Sequence, residues 1–287
     1  MKGRPFFVRP FSPGQARRKR KPLFSAVLLL LIFSGCLFCP LFFTGDPAYM
    51  QLSSSHLPPG RDFFFGTDAL GRDIFLMIWH GGRVSLLIGF LAAAIAAAAA
   101  ILLGTLGGLA PAPLDAVLMR LNEILLSIPS LLLTVFLQAI LGKATVASLS
   151  VVIGLSSFMG MARVVRTEVR QLKSSEYVIA ARQMGAGFLR ILCRHLLPGC
   201  MPSILFMTVM NIRGAIMAES TLSFMGMGLS LETVSWGSML SLAERALSGG
   251  SWWVILIPGA FLLATLVSIT ELGNSLRDGL YQKQSNL

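Results

Sequence analysis

Apolar residues fill Leu23 to Phe43 without a single charge, and five further, largely apolar stretches follow at Val84 to Ala110, Leu121 to Leu141, Thr145 to Val165, Pro202 to Leu222 and Trp252 to Leu272. At a rise of about 1.5 Å per residue, each is long enough to cross a hydrocarbon core about 30 Å thick. The pattern predicts an all-α, polytopic membrane protein with six transmembrane helices. It divides the chain into a basic tail at 1–22, a first helix at 23–43, a loop at 44–83, a core at 84–272 that contains a polar connection at 168–198, and a tail at 273–287. Cleaved signal peptides have a shorter apolar region of about 7 to 15 residues, so the first stretch reads as an uncleaved anchor.

Composition agrees with the pattern. Hydrophobic residues make up 54% of 287 positions and charged residues 13%, against about 25% charged in soluble domains. The net charge of +11 would suit a nucleic-acid partner, but the positions of the basic residues exclude one. Arg17, Arg18, Lys19, Arg20 and Lys21 precede the first apolar stretch, and Arg163, Arg166, Arg170, Lys173, Arg182, Arg190 and Arg194 crowd the polar connection. Between 44 and 83, by contrast, Asp46, Asp62, Asp68 and Asp73 offset Arg61, Arg72 and Arg83. Cationic segments stay on the cytoplasmic side of a membrane. Both termini and the connection are therefore expected inside, and the 44–83 loop outside.

Within the spans, Ala92 to Ala94, Ala96 to Ala100, Gly104, Gly107 and Gly108 read as a face for close helix packing. Pro129 and Pro258 predict kinks. Cys36, Cys39, Cys193 and Cys200 read as small packing residues and not as a disulfide or redox pair. Arg213 and Glu219, with Asn211 nearby, are unusual because charges at membrane depth are costly. Six residues separate the two charges, about 9 Å along a helix axis and on different faces, so they do not neutralise each other. Two readings stay open for this candidate path set: pairing with another membrane subunit, or lining a translocation path.

The connection has its own organisation. In Glu176 to Met184 the residues Tyr177, Val178, Ala181 and Met184 fall on one helical face, with Glu176 in the first turn where it favours the dipole. Gly185 and Gly187 break this helix. A second short amphipathic stretch sets Phe188, Ile191, Leu192 and Leu196 against Arg190 and Arg194 until Pro198 ends it. Such a hairpin is either a membrane-surface anchor or a docking element for a cytoplasmic partner.

The spacing of this hairpin resembles the cytoplasmic loop of binding-protein-dependent ABC importer permeases, which reads Glu-Ala-Ala, three residues, Gly, nine residues, Ile-x-Leu-Pro. Ala180 and Ala181, Gly185, and His195, Leu196, Leu197 and Pro198 stand at matching positions. Ile179 replaces the pattern's Glu and His195 its Ile. The His-x-Leu-Pro form is similar to that of the dipeptide, oligopeptide and nickel subfamily. Other stretches resemble the same subfamily: Gly66, Thr67 and Asp68 with Gly71, Arg72 and Asp73; Gly82 to Leu86; Ser127 to Ser130; Leu222 to Gly228; Ser235 to Met239; and Leu276 to Asp278.

What the resemblance implies is the second, shorter permease subunit of an importer with the type I ABC importer permease fold, in a bacterial inner membrane. Its partners would be a second, homologous permease, two ATPase subunits that carry the ATP and Mg, an external solute-binding protein and membrane lipid. Glu176, Ala180, Ala181, Arg182, Gly185, His195, Leu197 and Pro198 would couple the chain to the ATPases, with the two alanines allowing close approach and Gly185 the turn. The solute would be a short peptide, nickel or a metal chelate.

Enzyme chemistry has little support in the residues. There is no phosphate-binding Gly-x-x-x-x-Gly-Lys-Ser/Thr loop, no Gly-x-Ser-x-Gly, and His56, His80 and His195 have no metal-ligand spacing. Asp68, Arg72 and Asp73 read first as a salt-bridged turn and second as an acid/base or metal cluster. The competing class is a membrane-embedded scaffold or enzyme without an ATPase partner.

Overall fold

The computed structural model describes residues 22–285 apart from 44, 231, 243–245 and 247–248, so most of the basic N-terminal tail lies outside the described residues. The described chain is built from helices: α1 (Leu23–Phe42), α2 (Ile74–Leu109), α3 (Ala112–Ser127), α4 (Ser130–Leu141), α5 (Val146–Lys173), α6 (Glu176–Gln183), α7 (Phe188–Ile191), α8 (Leu197–Phe224), α9 (Trp236–Leu240) and α10 (Trp253–Ser285). Four segments are long and apolar enough to cross a membrane: α2, α5, the run from α7 into α8, and α10. The bent pair α3 and α4 makes a fifth if counted as one span, while the apolar stretch Leu23–Cys39 in α1 is shorter. The expected six is reached only when both are included.

Several boundaries differ from those expected, each for a local reason. The second helix begins at Ile74 and not at Val84, because Asp73 caps it by accepting from the Phe75 N–H at 2.9 Å. Its first turns carry Trp79, His80 and two glycines, which lower the hydropathy without breaking the helix. Arg83 therefore belongs to α2 and not to the loop. The stretch Leu121 to Leu141 is not one span. Ile128, preceding Pro129, is extended, and the helices on either side meet at 93°.

At the other boundaries helix persists where a break was expected. A capping box of Thr145 and Ser148 starts α5, which runs past Val165 to Lys173, so Arg163, Arg166, Arg170 and Lys173 lie on a helix and not in the connection. Pro198 does not end the second hairpin helix. It sits in the first turn of α8, where its missing N–H costs nothing, and a π turn at Leu192–Leu196 joins α7 to α8, closed by the Leu197 N–H on the Leu192 carbonyl. Pro258 lies inside the continuous α10, which extends beyond Leu272.

α2 and α5 form the central pair and α8 packs across both. Small residues at four-residue intervals on α2, namely Ala92, Ala96, Ala100, Gly104 and Gly108, are buried and admit α5 to backbone distance. A Cβ on Gly104 would lie 2.7 Å from the Ala162 carbonyl oxygen, and one on Gly154 of α5 would lie 2.8 Å from the Ala92 carbonyl oxygen. α1 packs on α2 and α10. There Pro40 has no N–H to offer the Cys36 carbonyl, and Arg83 supplies the donor: its Nε reaches that oxygen at 2.6 Å and its Nη2 donates to the Leu37 carbonyl.

Candidate functional site

Two regions concentrate polar and unusual residues, one at each end of α2. At the end where α2 begins, the Gly66 to Asp73 segment folds into a buried buckle. Asp68 and Arg72, each 1% exposed, pair through Arg72 Nε and Asp68 Oδ2 at 2.7 Å, and the Asp68 carboxylate also accepts from the N–H groups of Leu70 and Arg72. Gly71, at φ +72, lets the turn pass against Gln51, whose carbonyl leaves no room for a side chain. Thr67 donates to the Ser54 carbonyl at 2.5 Å and accepts from the Leu57 N–H at 2.8 Å, while its own carbonyl holds Trp253 Nε1 at 3.1 Å. The buckle thus ties the loop to the starts of α2 and α10. Burial pushes the Asp73 carboxyl above the usual carboxylate range, against the lowering effect of N–H groups from Phe75 and Leu76.

Below the buckle, segments scattered along the chain converge on Glu219. This carboxylate is 0% exposed. It accepts from Ser235 Oγ at 2.7 Å, Ser223 Oγ at 2.9 Å and Ser85 Oγ at 3.1 Å, which come from the α9 cap, α8 and α2. Ser85 Oγ in turn accepts from the Trp236 N–H at 3.1 Å. Trp236 is fully buried with its indole N–H on the Ile78 carbonyl, and it fits because Gly82 has no side chain: a Cβ there would lie 2.7 Å from the ring. Gly237 fits beneath the carboxylate for the same reason, since its Cβ would stand 2.9 Å from Glu219 Oε1. Sequence left path lining and pairing with another subunit open for Glu219; in this structure the carboxylate sits in the serine cage. Its hydrogen bonds are made within its own chain, where its side chain is fully buried.

Arg213 behaves differently. It is exposed on α8 and makes no hydrogen bond or ion pair with a described residue. Asn211 faces α5, with Nδ2 3.6 Å from the Met161 sulfur. The three residues grouped by sequence as a candidate path are therefore not brought together.

At the opposite end lies the hairpin. Val178 and Ala181 of α6 are buried, and so are Ile191 and Leu196. Tyr177 and Met184, placed by sequence on the same apolar face as Val178 and Ala181, are exposed, as are Ile179, Phe188 and Leu189. The apolar stripe divides because eight residues of helix present one narrow face to α5 and the rest of the pattern to the outside. Glu176, Ala180, Arg182 and Pro198 are exposed, His195 and Leu197 half-buried. The His195 ring lies 6.0 Å from that of Tyr177. Gly185 makes the turn at φ +83, where a Cβ would meet no neighbour within 4 Å, so the residue answers a backbone requirement and not a packing one.

Sequence reasoning missed the anchor of this end. Asp115, on the first turn of α3, is 4% exposed. It takes a bidentate pair from Arg166, with Arg166 Nε on Oδ1 at 2.5 Å, and a third bond from Arg170 Nη1 at 2.9 Å. A lone acid facing a basic run four dozen positions away gives no local signal. Once Arg166 and Arg170 are placed on a helix, their four-residue spacing points both to one side. Among the described residues no three His, Cys, Asp or Glu side chains gather as a metal site would require.

Residues 100–282 match the family model for the binding-protein-dependent transport system inner membrane component. The dipeptide transport system permease protein DppC of Bacillus subtilis (strain 168) is 34% identical over 89% of this chain and 80% of its own length. The oligopeptide transport system permease protein OppC of the same strain is 34% identical over 93% of this chain and 87% of its own. The di/tripeptide transport system permease protein DppC of Pseudomonas aeruginosa (strain UCBPP-PA14) is 35% identical over 91% and 87%. The chain belongs to the family of binding-protein-dependent transport system inner membrane components: it is a multi-pass membrane permease subunit of an ABC importer and not itself an enzyme.

Proposed function

We propose that this permease moves short peptides into the cell, forming the translocation path with a second, similar permease and taking its work from two separate ATPase subunits that hold ATP and Mg. An external solute-binding protein delivers the peptide at the buckle end. The hairpin faces the cytoplasm, as do both termini. The observation that carries the reading is the hairpin itself: Tyr177, Ile179, Met184, Phe188 and Leu189 are apolar and exposed around a glycine turn whose spacing matches the family's ATPase-docking loop. Exposed apolar side chains at the end of a membrane bundle, rimmed by Arg182, Arg190 and Arg194, suit a protein groove that accepts a short helix.

In this reading Ala180 lets α6 sit close in that groove, Gly185 sets the turn, and Glu176, Arg182 and His195 contribute polar contacts at its rim. Ala181, Leu197 and Pro198 join the hairpin to α5 and α8, so that its displacement is passed to the spans. The peptide assignment is supported by the names of the relatives, all peptide permeases. The test is purification of the complex from its native membrane and reconstitution with its binding protein. ATP-dependent uptake of a labelled dipeptide is expected. Uptake of a nickel chelate in its place, or purification without an ATPase, would overturn the proposal.

A further inference from the structure

One face of α8 is left uncovered by the rest of the chain. It carries Arg213, Gly214, Met217 and Phe224, all exposed, and a Cβ on Gly214 would meet nothing within 4 Å. Arg213 has no partner among the described residues. The acid on the same helix, Glu219, points into the bundle and is saturated by the hydroxyls of Ser85, Ser223 and Ser235, so it does not compensate the guanidinium. A cation at this depth is held in place by a counter-charge or by a watered path. Glycine leaves space, and methionine adapts to varied shapes, as surfaces that bind many ligands do.

We infer that Arg213 is the cationic anchor in the path for the C-terminal carboxylate of the transported peptide. Guanidinium and carboxylate match as a planar, bidentate pair, and that carboxylate is the group all short peptides share whatever their side chains. The inference rests on the peptide-importer reading above. A glycine and a flexible thioether beside the anchor leave the rest of the peptide unspecified, as a permease that accepts many sequences needs.

The test uses the complete transporter with its partner subunits and binding protein in proteoliposomes, carrying wild-type chain, Arg213→Gln or Arg213→Lys. Uptake of labelled dialanine is compared with uptake of its C-terminal amide. The binding protein is the same throughout, so its own preference cancels when each variant is divided by wild type for the same solute. Arg213→Gln is expected to lower uptake of the acid about tenfold, the scale of one charge-assisted hydrogen bond, and to leave the amide near its wild-type rate. Arg213→Lys keeps a point charge and is expected to retain part of the acid uptake. Equal loss for both solutes, or no loss for either, overturns the anchor. So does failure of the Gln complex to assemble where the Lys complex assembles, since the charge then pairs with the second permease. Wild-type vesicles that take up neither solute would instead remove the peptide reading itself, a result distinct from a selective failure of Arg213.

Discussion

Single side chains in this protein complete the backbone of other helices. Arg83 donates to two carbonyls of α1 beside Pro40, so its removal leaves the Cys36 carbonyl, which Pro40 cannot serve, without that donor. Arg83→Ala is expected to destabilise the packing of α1 on α2 by about 1 to 3 kcal/mol, read as a drop in thermal stability in detergent. Pro40→Ala restores an N–H for the Cys36 carbonyl and is expected to recover part of that loss in the double variant. Strict additivity of the two changes would contradict the account. Glu219 does the same for side chains: it holds the hydroxyls of three serines. Glu219→Ala strands the hydroxyls of Ser85, Ser223 and Ser235 and is expected to cost about 3 kcal/mol, with Glu219→Gln costing less because it keeps one acceptor oxygen. Equal melting temperatures for the two variants would argue against the cage. Sequence flagged Glu219 as unusual but could not read its partners. Ser85 and Ser235 fall in the stretches Gly82 to Leu86 and Ser235 to Met239 that the family resemblance picks out, but an uncharged hydroxyl carries no sign of which distant acceptor it serves.

At the scale of elements, the small-residue ridge of α2 governs how near α5 approaches. Gly104→Leu places atoms where the Ala162 carbonyl and Val165 already stand, and overpacking of this kind costs about 1 to 3 kcal/mol. Gly160→Ala on α5 meets nothing within 4 Å and is expected to leave the melting temperature unchanged. Both Ala and Leu are better helix formers than Gly, so a loss at Gly160 comparable to that at Gly104 would contradict the distance account. The ridge was legible because small residues in a row have one obvious use in a membrane, and so was the glycine turn; the count of six spans was not, because α3 and α4 are bent at Pro129 and the apolar stretch of α1 is short. Helix ends were not. Hydropathy reports where a segment meets lipid, whereas α2 and α5 extend beyond that zone on the strength of the Asp73 cap and the Arg166 and Arg170 pairs with Asp115. Pro198 misled for a related reason: proline stops a helix from within but is tolerated in a first turn, and the π turn before it keeps α7 and α8 in one continuous helical run.

Across the whole molecule the two ends of α2 differ: the buckle and serine cage bury their polar groups at one end, and the hairpin presents apolar side chains at the other. The proposed orientation predicts that a reporter fused after Tyr281 is cytoplasmic and one inserted near Ser55 is external. Finding both on one side would reverse the assignment of the hairpin. The central claim, that the hairpin transmits ATPase work to the spans, is tested most directly at Met184, which is 81% exposed and makes no demand on the fold of its own chain. In the reconstituted complex, Met184→Glu puts a charge into the proposed ATPase groove. ATP-driven peptide uptake is expected to fall at least tenfold while the permease pair still assembles and melts as wild type. Uptake at the wild-type rate, with the ATPases still bound, would contradict the account.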